Sequence, residues 1–139
     1  SISSNLTHNS AKMCGISGFT GEQHLDLSQQ RIQAMMNAMS HRGPDADGIF
    51  LKPGIALGHK RLSIIDLSEA GRQPITDPSG RYTIIYNGEV YNFQEVKAKL
   101  QGYSFHSASD TEVILAAYIA WGPSCLRLFN GMFAFAICL

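Results

Sequence analysis

Apolar and polar positions change period several times along the chain, and each change predicts an element. The first twelve residues, SISSNLTHNSAK, are polar and carry no hydrophobic period, which predicts a disordered leader over residues 1–13. In CGISGFT, Ile16 and Phe19 stand among small residues, the pattern of a buried strand. Ile32, Met35, Met36 and Met39 then recur at helical spacing, with Asp26 or Ser28 as cap and Gly43 beyond the end. GIFLKPGIALGHKRLSIID reads as two strands around Pro53-Gly54, and RYTIIYNGEVYN as a hairpin around Asn87-Gly88. Phe93, Val96 and Leu100 share the face of a short helix that Gly102 closes. Ser109 and Glu112 have the spelling of a capping box at the start of VILAAYIAWG, a second apolar helix, and Met132 to Ile137 reads as a last strand. With helices interleaved among hairpins, and neither an internal repeat nor a linker after residue 13, the expected class is α+β, one domain over 14–139.

Composition narrows the partners. The 139 residues carry 11 Lys+Arg against 11 Asp+Glu, so no net field draws the chain to phosphate backbones or anionic lipid, and neither nucleic acid nor membrane is an expected partner. GMFAFAICL, the longest apolar stretch, is far short of the roughly 20 residues that span a bilayer. Cys14, Cys125 and Cys138 are odd in number and widely spaced, which favours neither a disulfide framework nor a metal site and fits a reducing cytoplasm. The leader lacks the cationic start and apolar run of a secretory signal.

Three readings stand for Cys14. It is a small buried hydrophobe, or a nucleophile served by one of the histidines at 8, 24, 41, 59 and 106, or a nucleophile served by its own α-amino group once residues 1–13 are gone. An α-amine titrates near 7.7–8.0 and is a base of suitable strength beside a thiol. Met13 as a biological start would expose Cys14 directly, since a small residue behind the initiator favours its removal.

MCGISGF, HRGPDADG (41–48), LGHKRLSIIDLSEAGRQPI (57–75), YNGEVYNF (86–93), SDTEVIL (109–115) and FNGMFAFAI (129–137) occur in the order seen in one family. In these blocks, from residue 13 to about 137, the chain resembles the glutaminase domain of glutamine-hydrolysing asparagine synthetases. The resemblance implies a class II glutamine amidotransferase with the N-terminal-nucleophile hydrolase fold, a four-layer sandwich of two antiparallel sheets between helices. It implies that Cys14 attacks the carboxamide of L-glutamine, that the Asn87 side chain and the Gly88 N–H form the oxyanion hole, and that a γ-glutamyl thioester is then hydrolysed. Asn87-Gly88 would thus be a chain reversal and a donor site at once.

Free glutamine carries an α-carboxylate and an α-ammonium, so a site selective for it needs a fixed cation and a fixed anion. Arg61 matches the family's carboxylate-binding arginine and Asp110 its ammonium acceptor, with Glu89 a second polar contact and backbone around Leu62 and Ile64 lining the pocket. Read alone, Arg61 is a solvated strand residue and Asp110 a favourable charge in a first helical turn. His41, Arg42 and Asp45 surround a Gly-Pro turn, for which an interlocking loop near the pocket is as good an account as catalysis, with Arg42 in a supporting role at most; His59 packs. No cofactor or metal is expected for this half; ATP and Mg belong to a synthetase domain, which is the implied partner along with L-glutamine and a second copy in a homodimer.

The resemblance also implies further strands after GMFAFAI, where this chain has Cys138-Leu139, so we expect a C-terminally truncated domain with uncovered sheet edges and a tendency to unfold or self-associate. The leader is read as an expression remnant, an upstream extension or a propeptide. While it is attached, Cys14 has an amide nitrogen in place of an amine, and the chain should be inactive. An amidotransferase with a sugar acceptor and an inert glutamine-binding module are the alternatives.

Overall fold

A computed structural model describes residues 15–39, 46–61 and 73–139. Strands β1 (Gly15–Thr20), β2 (Ala46–Lys52) and β3 (Ile55–Arg61) form one antiparallel sheet in the order β1-β3-β2. Strands β4 (Ile75–Thr76), β5 (Thr83–Val90) and β6 (Gly131–Cys138) form a second, in the order β4-β5-β6. Helix α1 (Leu25–Ala38) follows β1; α2 (Phe93–Ala98), α3 (Asp110–Trp121) and a 3₁₀ helix (Gly122–Leu128) lie between β5 and β6.

Alternation along the strands builds four layers. On β3, Ala56 faces α1 and packs with Ile32 and Met36, while its neighbour Leu57 faces the second sheet and meets Ile85 and Cys138. On β5, Ile85 faces the first sheet while Ile84, Tyr86 and Val90 meet Ile114 and Leu115 of α3. Residues 83–86 are therefore buried on both faces, which is why this strand reads as a continuous apolar run. The same reason governs α3: Thr111 to Ala117 are all buried, because Val113 and Ala117 pack on Val96 of α2 and Cys125 while the other side rests on the sheet. The α+β class and the two antiparallel sheets between helices agree with expectation. Among the described residues no helix is long and apolar enough to cross a membrane.

Several local expectations are corrected. Asn87-Gly88 is not a hairpin turn: β5 runs through both residues, paired with Ala134 and Phe133 of β6. A tight Asn-Gly hairpin needs positive φ at both residues, and only Gly88 has it. The turn at Pro53-Gly54 does join two paired strands, with Lys52 opposite Ile55. β1 is only partly buried, and among the described residues it is an edge strand that pairs with β3 alone. The residue capping α1 is His24, without a side-chain cap bond, in place of Asp26 or Ser28; Ser28 is buried inside the first turns. α2 ends at Ala98, short of Gly102. Ser109 stands at the N-cap position of α3 without a side-chain cap bond, and Glu112 passes it by to accept from His106 N–H at 2.6 Å and Ser107 N–H at 2.9 Å, so the capping box is replaced by a clasp on the preceding loop. β4 was not legible, two residues being too short to show a period. The leader, Gly43 and the 62–66 end of the second predicted strand lie outside the described residues.

Candidate active site

Among the described residues, the second half of β5 pairs with a strand on one side only. β6 runs alongside all of Thr83–Val90, whereas β4 covers only Thr83 and Ile84. Beyond that point side chains take the place of a strand: Tyr86 N–H donates to Gln73 Oε1 at 2.7 Å, and Val90 N–H to Asp110 Oδ2 at 3.3 Å. Strand residues two apart point their N–H groups to the same edge, and Gly88 stands between these two. Its φ is +138°, and a Cβ there would overlap the Met132 carbonyl oxygen and Phe133 Cα of β6, so the position admits glycine alone.

Next to this edge opens a cavity of about 650 Å³ lined by Gly88, Glu89, Val90, Phe93, Ser109 and Asp110. Asp110, the first residue of α3, also accepts the Tyr86 hydroxyl on Oδ2 at 2.7 Å. Burial, then that hydrogen bond and the negative charge, push the Tyr86 phenol well up from its ordinary value, so the hydroxyl stays a donor. The Tyr86 carbonyl lies 3.0 Å from His59 Nε2; a carbonyl only accepts, so Nε2 carries the proton in this bond. Gln73 completes the frame by donating from Nε2 to Thr111 Oγ1 at 3.3 Å. Its own carbonyl presses on β2 at Gly48, where any Cβ would overlap it. Glu112, 3% exposed, holds the other wall, since its bonds to His106, Ser107 N–H and Ser107 Oγ fix the loop that carries Ala108 and Ser109.

A family model described as a glutamine amidotransferase domain matches residues 13–138. This chain belongs to the glutamine amidotransferase domain family. It is 42% identical over 130 residues to asparagine synthetase [glutamine-hydrolyzing] 3 of Bacillus subtilis, covering 90% of this chain and 21% of that protein. It is 41% identical over 128 residues to asparagine synthetase B of Escherichia coli, covering 90% of this chain and 23% of that one. The chain thus spans about a fifth of the length of these curated relatives. Among solved structures, the glutamine phosphoribosylpyrophosphate amidotransferase of B. subtilis superposes with a TM-score of 0.70 at 22% identity, over 88% of this chain and 34% of that one, a likeness of fold.

Within this amidotransferase domain, the residues singled out in the sequence are partly assembled. Gly88, Glu89 and Asp110 line one cavity. Asn87 has the strand parity of Ile85, which packs toward the first sheet, so its side chain leaves β5 on the side away from α3. Arg61 ends β3, and of it the backbone alone is described. Its neighbour Lys60 is buried, pairs in register with Gly15 and binds Asp47 at 2.8 Å. Gly15, the first residue of β1, thus lies opposite the end of β3. Cys14, Leu62, Ile64, His41, Arg42 and Asp45 lie outside the described residues. Cys125 and Cys138 are buried free thiols, both pushed up by burial, which makes them poor nucleophiles. Among the described residues no group of three His, Cys, Asp or Glu side chains is placed to hold a metal ion.

Three residues of the frame, Gln73, Tyr86 and His59, were not assigned this part by sequence reasoning. His59 packs, as expected, yet also fixes a peptide of β5. Tyr86 had a signal in its place directly before Asn87-Gly88. Gln73 had none, because its partners are 13 and 38 residues away.

Proposed function

We propose that this chain hydrolyses L-glutamine to glutamate and ammonia, as the glutaminase part of a glutamine-dependent asparagine synthetase. The observation that carries the reading is the half-paired edge of β5, where Gly88 sits between two N–H groups already satisfied by Gln73 and Asp110 and faces a cavity that Asp110 also lines. An edge amide with no strand opposite it among the described residues, beside a fixed carboxylate, suits a substrate with a carbonyl at one end and an ammonium at the other.

In this reading the thiolate of Cys14 attacks the glutamine Cδ. The oxyanion that forms is stabilised by Gly88 N–H and the Asn87 carboxamide, and the thiol proton passes through the Cys14 α-amine to the departing NH₃. Water then cleaves the γ-glutamyl thioester, leaving glutamate and a free thiol. Arg61 takes the α-carboxylate, Asp110 the α-ammonium, Glu89 supplies a further polar contact, and the Leu62 and Ile64 backbone closes the pocket. The two buried cysteines support giving the nucleophile's part to Cys14. Identities of 41–42% to glutamine-hydrolysing asparagine synthetases favour aspartate over a sugar as acceptor of the ammonia, in a second domain that would bind ATP and Mg.

The deciding experiment compares the chain bearing residues 1–13 with one whose first residue is Cys14, by glutamate release and by intact mass after 6-diazo-5-oxo-norleucine. Turnover and a single adduct on Cys14 are expected for the second protein and neither for the first. A processed, folded chain with no adduct and no glutamate would overturn the reading in favour of an inert binding module.

A further inference from the structure

We propose that Tyr86 is a positioning residue that makes this site selective for substrates bearing an α-ammonium. The proposal rests on the glutamine reading above and deepens it. Tyr86 is 3% exposed, and all three of its polar groups are engaged: the N–H by Gln73 at 2.7 Å, the carbonyl by His59 at 3.0 Å, and the hydroxyl by Asp110 Oδ2 at 2.7 Å. The backbone bonds fix the residue that precedes Asn87-Gly88, and the hydroxyl fixes the carboxylate on the other wall of the cavity. One residue therefore ties β5 at Asn87-Gly88 to the carboxylate on the opposite wall.

The asymmetry at Asp110 gives the selectivity. Both described donors, the Tyr86 hydroxyl and Val90 N–H, fall on Oδ2, and among the described residues none reaches Oδ1. Neither donor carries a charge of its own, and together they arrest the rotation of the carboxylate. Asp110 lines the cavity, so the remaining oxygen is left for an incoming ligand. A carboxylate free to turn would lose orientational entropy on gripping an ammonium; one already held does not. Phenylalanine would fill the same volume and remove only this restraint.

The test is calorimetric titration of the full chain and of Tyr86→Phe with L-glutamine and with glutaramate, which is glutamine without its α-amino group. Tyr86→Phe is expected to raise the Kd for glutamine about tenfold and to leave that for glutaramate within about twofold, since only the former uses the held carboxylate. Equal loss for both ligands would mean a merely structural role, and no loss for either would mean that Asp110 needs no restraint; both outcomes overturn the proposal while leaving the glutamine reading of the unaltered chain standing. Failure of the unaltered chain to bind glutamine would overturn the glutamine reading itself. Should Tyr86→Phe not fold, ¹³Cζ-tyrosine labelling of the unaltered chain decides: the Tyr86 resonance should move with glutamine and not with glutaramate, and its indifference to glutamine would refute the proposal.

Discussion

Gly88 concentrates the constraints of the site in one backbone position. Gly88→Ala sets a Cβ against the β6 backbone at a φ of +138°. It is expected to cost about 3 kcal/mol or more, from strain and overlap together, read as a lowered urea midpoint. Asn87 is different in kind, because its side chain is not needed for the strand ladder. On the glutaminase reading, Asn87→Ala should lower kcat about 10²- to 10³-fold, as loss of one oxyanion donor does, while the urea midpoint hardly moves. Similar losses of stability at the two positions would argue that Asn87 only supports the sheet.

Elements are joined here by carboxylates that clasp loops. Asp77, 8% exposed, accepts from Ser79 N–H, Ser79 Oγ at 2.6 Å and Tyr82 N–H at 2.8 Å, and so closes the turn from β4 to β5. Burial alone would raise its titration point, but the hydrogen bonds from Ser79, Tyr82 and Arg81 outweigh it and hold the carboxyl below its ordinary value. A depressed folded-state value contributes stability that is present above the unfolded value, near 3.9, and lost as pH falls through the folded one. Asp77→Asn should therefore destabilise by about 1–2 kcal/mol at neutral pH and by progressively less below about pH 4, checked by urea unfolding across that range. Glu112 clasps the 106–107 loop in the same way at the cavity wall. Glu112→Gln should loosen that wall, raising amide exchange over residues 106–109 ahead of any global unfolding.

At the scale of the whole molecule, the interface between the sheets holds the two halves of the site together. Leu57, Ile85 and Cys138 are its buried centre, flanked by Ile16, Phe50, Ile55 and Ala136. Leu57→Ala should cost about 2–5 kcal/mol, seen in thermal or urea unfolding. On the glutaminase reading, because β3 carries both Leu57 and Arg61 while β5 carries Ile85 and Gly88, it should also weaken glutamine binding beyond what a surface change of equal stability does.

The sequence by itself determined which segments are helix and which are strand wherever a period runs for several residues, as in α1, the β2–β3 hairpin, α3 and β6. It also carried the ordered blocks that mark the amidotransferase domain, since those are strings of neighbouring residues. Only the tertiary structure decided that Asn87-Gly88 continues a strand: β6 alongside and the cavity edge opposite outweigh the local preference for a turn. It also decided that Glu112 reaches back past its own helix, and that Gln73, His59 and Asp110 converge on Tyr86. The three contacts on Tyr86 join residues 13 to 27 positions apart along the chain, and a local pattern has no period at such distances to record them.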